Sequence, residues 1–145
     1  MSHTHFLYHI VFGTKHRLPL ISETWESELH RYIGGIIKNN NGEAIEINGM
    51  PDHEHILVRL PPVGEFSTFM RDLKASSSKW AKKYEPKFAW QRRYGAFTVS
   101  ESVSGAVRKY IRDQKQHHKK QTFEDEYRDL LRLHKIDFDE RDLWE

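Results

Sequence analysis

Two short stretches of this 145-residue chain carry side chains whose types and spacing suit chemistry. The first is His53-Glu54-His55, within a run that reads as a strand, and the second holds Tyr110 and Gln114, within a run that reads as a helix. A strand turns alternate side chains to opposite faces, so His53 and His55 point the same way, about 7 Å apart. A helix places residues four apart on one face, so Tyr110 and Gln114 point together, one turn apart. Two imidazoles and an amide oxygen can hold a divalent metal, and a tyrosine beside that metal can attack a phosphodiester.

Each part alone is weak. Strand histidines are more often exposed or hydrogen-bonded than metal-bound, and Tyr110 fits an apolar stripe with Val103 and Val107. Gln114 changes the balance, because it continues that stripe where another apolar residue is expected. A buried amide needs partners, and a metal is one.

The elements that must position these residues are legible in the hydrophobic pattern. Phe6 to Phe12 reads as a buried strand rich in aromatic and β-branched residues. Trp25 to Lys38 has helical spacing and ends at Asn39-Asn40-Asn41-Gly42. Glu43 to Asn48 and His53 to Leu60 read as strands joined by the turn Gly49 to Asp52, with Ile56, Val58 and Leu60 facing away from His53 and His55. After Pro61-Pro62 comes a helix from Phe66 to Tyr84, then strand-prone aromatic sequence from Phe88 to Ser100. Ser102 is placed to cap a third helix from Val103 to about His118. Thr122 to Leu133 reads as a short amphipathic helix, and Ile136 to Trp144 as an acidic tail with apolar anchors. The first six elements give an α+β fold, a ferredoxin-like split βαβ antiparallel sheet with helices on one face. The extra C-terminal helix carries Tyr110. The expected organisation is one domain over 1–121, with an acidic extension over 122–145 packed on it.

Composition narrows the class. The hydrophobic share is 37% and the charged share 30%, which suits a modest core and a large polar surface. No apolar run approaches the roughly 18 residues of a membrane span. No signal peptide is visible, and with no cysteine the thiolate metal sites are excluded, so a cytoplasmic protein with no membrane association is expected. The net charge of +2 is unevenly spread. Phe66 to Ser100 holds eight Lys/Arg against two acids, while Thr122 to Glu145 holds nine acids against four bases. Arg71, Lys74, Lys79, Lys83, Arg92 and Arg93, with aromatics interleaved, suit a phosphate backbone and stacked unpaired bases.

Three segments carry a family resemblance: Met50-Pro51-Asp52-His53-Glu54-His55-Ile56-Leu57-Val58, then Phe88-Ala89-Trp90-Gln91 with Tyr94-Gly95-Ala96-Phe97-Thr98-Val99-Ser100, then Tyr110-Ile111-Arg112-Asp113-Gln114 with His117-His118. With Tyr8-His9-Ile10-Val11-Phe12 they resemble the single-tyrosine HUH transposases of small insertion sequences. Domesticated relatives of these transposases are associated with repetitive palindromes. The resemblance implies metal ligation by His53, His55 and Gln114, with Mg²⁺ or Mn²⁺ as the ion, and Tyr110 as nucleophile. It implies cutting and rejoining of single-stranded DNA at hairpin-bearing ends through a 5′-phosphotyrosine, by a homodimer whose sites could be composite. The middle motif residue is usually hydrophobic, and here it is Glu54, expected on the face away from the metal. His3, His5 and His9 read as surface or terminal residues, His117-His118 as helix-end charges, and Asp52 as a turn residue. Two alternatives stay open: a domesticated nuclease acting on palindromic repeats, and a non-catalytic ferredoxin-like nucleic-acid binder.

Overall fold

A computed structural model describes residues 3–144. Strand β1 (Phe6–Gly13) lies at the centre, antiparallel to β3 (His53–Leu60) on one side and to β4 (Gly95–Thr98) on the other. Strand β2 (Glu43–Met50) pairs with the far edge of β3, giving the order β2-β3-β1-β4. Helix α1 (Glu26–Asn39) links β1 to β2, and α2 (Phe66–Ala81) links β3 to β4. This is the split βαβ arrangement that the hydrophobic pattern predicts.

Strand alternation divides the chain into two faces. Ile10 and Phe12 of β1 and Ile56 and Val58 of β3 meet Leu29, Ile33 and Ile37 of α1 and Phe69, Met70 and Leu73 of α2. Those helical residues recur at three- and four-residue intervals, so each helix buries one stripe. Helix α2 ends at Ala81 rather than Tyr84, shortly before Pro86, which cannot donate a helical N–H. The strand expected across Phe88 to Ser100 pairs only over Gly95–Thr98. Phe88 and Trp90 are core residues instead, with the Trp90 indole N–H donating to Ser77 Oγ at 2.9 Å.

The opposite face is covered by α3 (Ser104–Arg112), α4 (Gln114–His117) and α5 (Phe123–Leu133). The single helix expected from Val103 to His118 is divided at Asp113, whose φ/ψ of −91/16° departs from helical values. Ser102 does not cap it. Residues Glu101–Val103 form a 3-10 turn, and Ser104 Oγ donates to the Glu101 carbonyl. Thr122 caps α5 by accepting from the Asp125 N–H.

Phe123, Tyr127 and Leu131 of α5, with Leu143, pack on Val11 and Phe97 of the sheet. Two glycines admit this cover: a Cβ at Gly13 would stand 2.7 Å from the Phe123 ring, and one at Gly95 2.9 Å from the Tyr127 ring. Buried Gln91 ties the cover down, accepting the Gly13 N–H at 2.6 Å and donating to the Leu143 carbonyl at 2.9 Å. Among the described residues no helix is long and apolar enough to cross a membrane.

Candidate active site

The histidines of β3 face the covered side, as alternation requires, and both are fully buried. Tyr110 on α3 and Gln114 on α4 come to the same place despite the break at Asp113. Gln114 Oε1 lies 3.1 Å from His53 Nε2. A polar clasp seats α3 and α4 on the β2 edge: Asn48 donates to the Arg112 carbonyl, Arg108 pairs with Glu46, and Lys115 reaches Glu26, Asn48 and the Gly49 carbonyl.

At the centre stands a residue that the sequence pattern did not single out. Glu126 of α5 is 1% exposed, yet it is a carboxylate. Its Oε1 lies 2.9 Å from His55 Nε2, 3.0 Å from His118 Nε2 and 3.3 Å from His53 Nε2. Its Oε2 accepts from Gln114 Nε2 at 3.0 Å and from the Tyr110 hydroxyl. Burial alone would raise the Glu126 carboxyl, but the surrounding imidazoles and their hydrogen bonds hold it well below the usual carboxylate range. Tyr110 is pushed far up, first by burial and then by the adjacent Glu126 charge, so the phenol is neutral.

The imidazoles divide into two kinds. His53 places Nδ1 2.7 Å from Asp52 Oδ1, so both ring nitrogens face acceptors. Burial would lower it, but Asp52 and Glu126 outweigh burial and push it up to about 9. His55 is lowered by burial to about 4 despite Glu126, and His9, 2.8 Å from His55 Nδ1, is lowered to about 3 by burial and by His55. A neutral His55 therefore donates from Nε2 to Glu126 and accepts at Nδ1 from His9.

Two expectations are corrected here, and a third gains a further role. His9 is not a surface residue: it is 4% exposed and supports His55. His118 is not a free helix-end charge, since its side chain is almost buried against Glu126. Asp52 does lie in the turn, but its carboxylate also orients His53. His3 and His5 are exposed as expected, with His5 paired to Glu101. Signals for the missed residues existed. His9 alternates with Ile10 in a strand read as buried, and Glu126 sits three residues after Phe123, on the apolar stripe of α5.

The expected DNA-contacting residues are spread away from this centre. Arg71, Lys74, Lys79 and Lys83 belong to α2 or its end, on the other side of the sheet. Lys74 is engaged internally, donating to the Gln91 and Arg92 carbonyls. Arg92 and Arg93 are exposed in the connection before β4. Nearer to Tyr110 stand Lys109 and Lys120, which share a hollow with it and His117.

Glu54 turns to the α1 side as expected. It is fully buried, with Oε1 2.9 Å from His30 Nε2. Burial would lower His30, but the Glu54 charge and hydrogen bond raise it.

The donor set fits a divalent ion. One ligand atom from each of His53, His55, His118 and Glu126 lies within 4.8 Å of the others. Bonds near 2.1 Å place neighbouring ligand atoms roughly 3 Å apart, close to the spacings around Glu126 Oε1. Gln114 Oε1 borders the same set.

Comparison with known proteins places this architecture. Residues 2–114 match the family described as IS200-like transposase. The chain belongs to that family. Over 119 residues it is 30% identical to the transposase for insertion sequence element IS200 of Salmonella typhimurium, covering 74% of this chain and 75% of that one. Over 115 residues it is 27% identical to the ISDra2 transposase TnpA of Deinococcus radiodurans, covering 74% and 82%. Two solved structures share the fold. One, from Deinococcus radiodurans and described as a transposase, aligns with a TM-score of 0.64 at 24% identity, covering 78% of this chain and 93% of that one. The other, a REP-associated tyrosine transposase bound to a REP hairpin, aligns with a TM-score of 0.63 at 16% identity, covering 81% and 73%. The IS200-like match ends at Gln114, so His118 and Glu126 lie beyond it.

Proposed function

We propose that this IS200-like transposase cuts and rejoins single-stranded DNA at hairpin-bearing ends through a 5′-phosphotyrosine on Tyr110. The supporting observation is the convergence of the Tyr110 hydroxyl, Gln114, His53 and His55 on one buried carboxylate, Glu126. His53, His55 and Gln114 would hold Mg²⁺ or Mn²⁺, with His118 and Glu126 adding to the set. When bound, such an ion polarises a phosphoryl oxygen and stabilises the charge that develops there.

The remaining work falls to the chain. Glu126 aligns the Tyr110 hydroxyl by accepting its hydrogen bond. The phenolic proton passes to solvent as the Oη–P bond forms, the bond from phosphorus to the 3′-oxygen breaks, and that oxygen takes a proton from solvent and leaves as a 3′-hydroxyl. Because the tyrosyl ester keeps a phosphodiester, attack by a new 3′-hydroxyl reverses the step without ATP. Asp52 and His9 orient His53 and His55. The working form is a homodimer acting in the cytoplasm, each chain using its own Tyr110, which already meets its own histidine cluster. The test is incubation with hairpin-bearing single-stranded DNA and Mg²⁺ or Mn²⁺, followed by a denaturing gel. A protein–DNA adduct is expected, and its absence with both ions would overturn the reading.

A further inference from the structure

Tyr110 stands between two hollows of opposite character. On one side it shares a surface with Lys109, Lys120 and Asp113. On the other lies a groove of about 490 Å³ between α3 and α5, walled by Val103, Val107, Leu130 and Leu133 and floored by His9 and His134. Val103 is 48% and Leu133 72% exposed, so the groove keeps open apolar walls beside the tyrosine. His134 lies flat on Phe97, 4.2 Å between centroids at 18°, which fixes an aromatic surface at its edge. Its polar groups include Thr98 and the carboxylates of Glu126 and Asp129.

Charge divides the two hollows between the parts of a nucleotide. A phosphate is repelled by Asp129 and attracted by Lys109 and Lys120, which outnumber Asp113 in their hollow, so the backbone runs on the lysine side. An uncharged, flat, amphipathic base suits the apolar groove, where rings and aliphatic walls favour stacking. We infer that this groove receives one unpaired nucleobase next to the phosphate at Tyr110. Asp129, whose Oδ2 accepts from Gln121 and whose Oδ1 lies 3.5 Å from Arg132, keeps further oxygen lone pairs for a base N–H and selects a base bearing an exocyclic amino group. This inference rests on the DNA-cleavage reading above. The α5 wall lies beyond the IS200-like match, so this half of the groove belongs to the C-terminal segment.

The test uses the full chain and hairpin oligonucleotides whose single-stranded flanks carry 2-aminopurine at successive positions. Two filling variants, Val103→Trp at the start of α3 and Leu133→Trp on α5, alter exposed positions on opposite walls that line this groove and not the lysine hollow. With Tyr110→Phe protein, so that binding is read without cleavage, the fluorescence should change at one flank position. Adding either filling variant should remove that change and weaken binding about tenfold. In cleaving protein, a flank randomised at that position should give adducts enriched for adenine, cytosine or guanine over thymine, and Asp129→Ala should lose the enrichment. Adduct formation and fluorescence unaffected by both filling variants would overturn the groove assignment while leaving the cleavage reading intact. A flank response removed by both variants, without any adduct, would retain the groove and overturn cleavage. Filling variants that change only the sedimentation mass would make the groove an interface between copies, and the base assignment would fall.

Discussion

On the α1/α2 face, β1 and β3 offer Ile10, Phe12, Ile56 and Val58 to partners that are almost all apolar. On the other face the same two strands offer His9, His53 and His55 among Leu7, Val11 and Leu57. The first face is a core of the ordinary kind, stabilised by removing apolar area from water. On the second, three apolar residues of the sheet are interleaved with three imidazoles, which need hydrogen-bond partners once buried. Glu126, Asp52 and Gln114 supply them. Burying a charged network contributes little net stability, so its retention in a modest core points to chemistry rather than folding.

The largest effect that separates the faces should come from Tyr110→Phe. It removes one hydroxyl from the polar face, and adduct on a denaturing gel should fall below detection while thermal unfolding stays close to that of the parent. Undiminished adduct would remove Tyr110 as nucleophile. Next, His53→Ala and His55→Ala should each lose metal-dependent cleavage, with Gln114→Ala milder because water can replace an amide ligand. Full cleavage by all three in excess chelator would break the assignment of this face to a metal.

The apolar face has its own test in the ion pair that buried Glu54 makes with half-buried His30. His30→Ala strands the Glu54 carboxylate and should cost about 3 kcal/mol in denaturant unfolding, whereas Glu54→Leu should be close to neutral. Equal losses from the two would overturn the view that His30→Ala acts by stranding the Glu54 charge. The smallest expected effect is the pH dependence of metal binding. The His53 proton, held up to about 9, must leave before Nε2 can ligate. Mn²⁺ affinity by calorimetry should therefore rise with pH, about tenfold per unit between pH 6.5 and 8.5. A flat profile would place His53 outside the ligand set.

Spacing alone made much of this readable. Alternation puts His53 and His55 on one face, and four-residue spacing brings Gln114 towards Tyr110 even across the break at Asp113. The parts that were not readable depend on docking between distant segments. Glu126 looks like one more acid in an acidic run until Gly13 and Gly95 let Phe123 and Tyr127 settle on the sheet, which carries it inside. The shortness of β4 has the same origin, because Phe88 and Trp90 find better burial under α2 than in a longer strand.

The placement of Glu126 also sets a timetable. His55 is separated from its carboxylate partner by 71 residues, and Gln91 from the Leu143 carbonyl by 52. At roughly 5–20 residues per second of synthesis, His55 leaves the ribosome several seconds before Glu126 does. Throughout that interval the sheet can pair and the α1/α2 core can close, but the imidazoles have no buried counter-charge and Phe97 no cover. The nascent chain thus gains its solid half early and its histidine half late, and a chain ended near residue 121 would leave the histidines without Glu126 and Phe97 without its α5 cover.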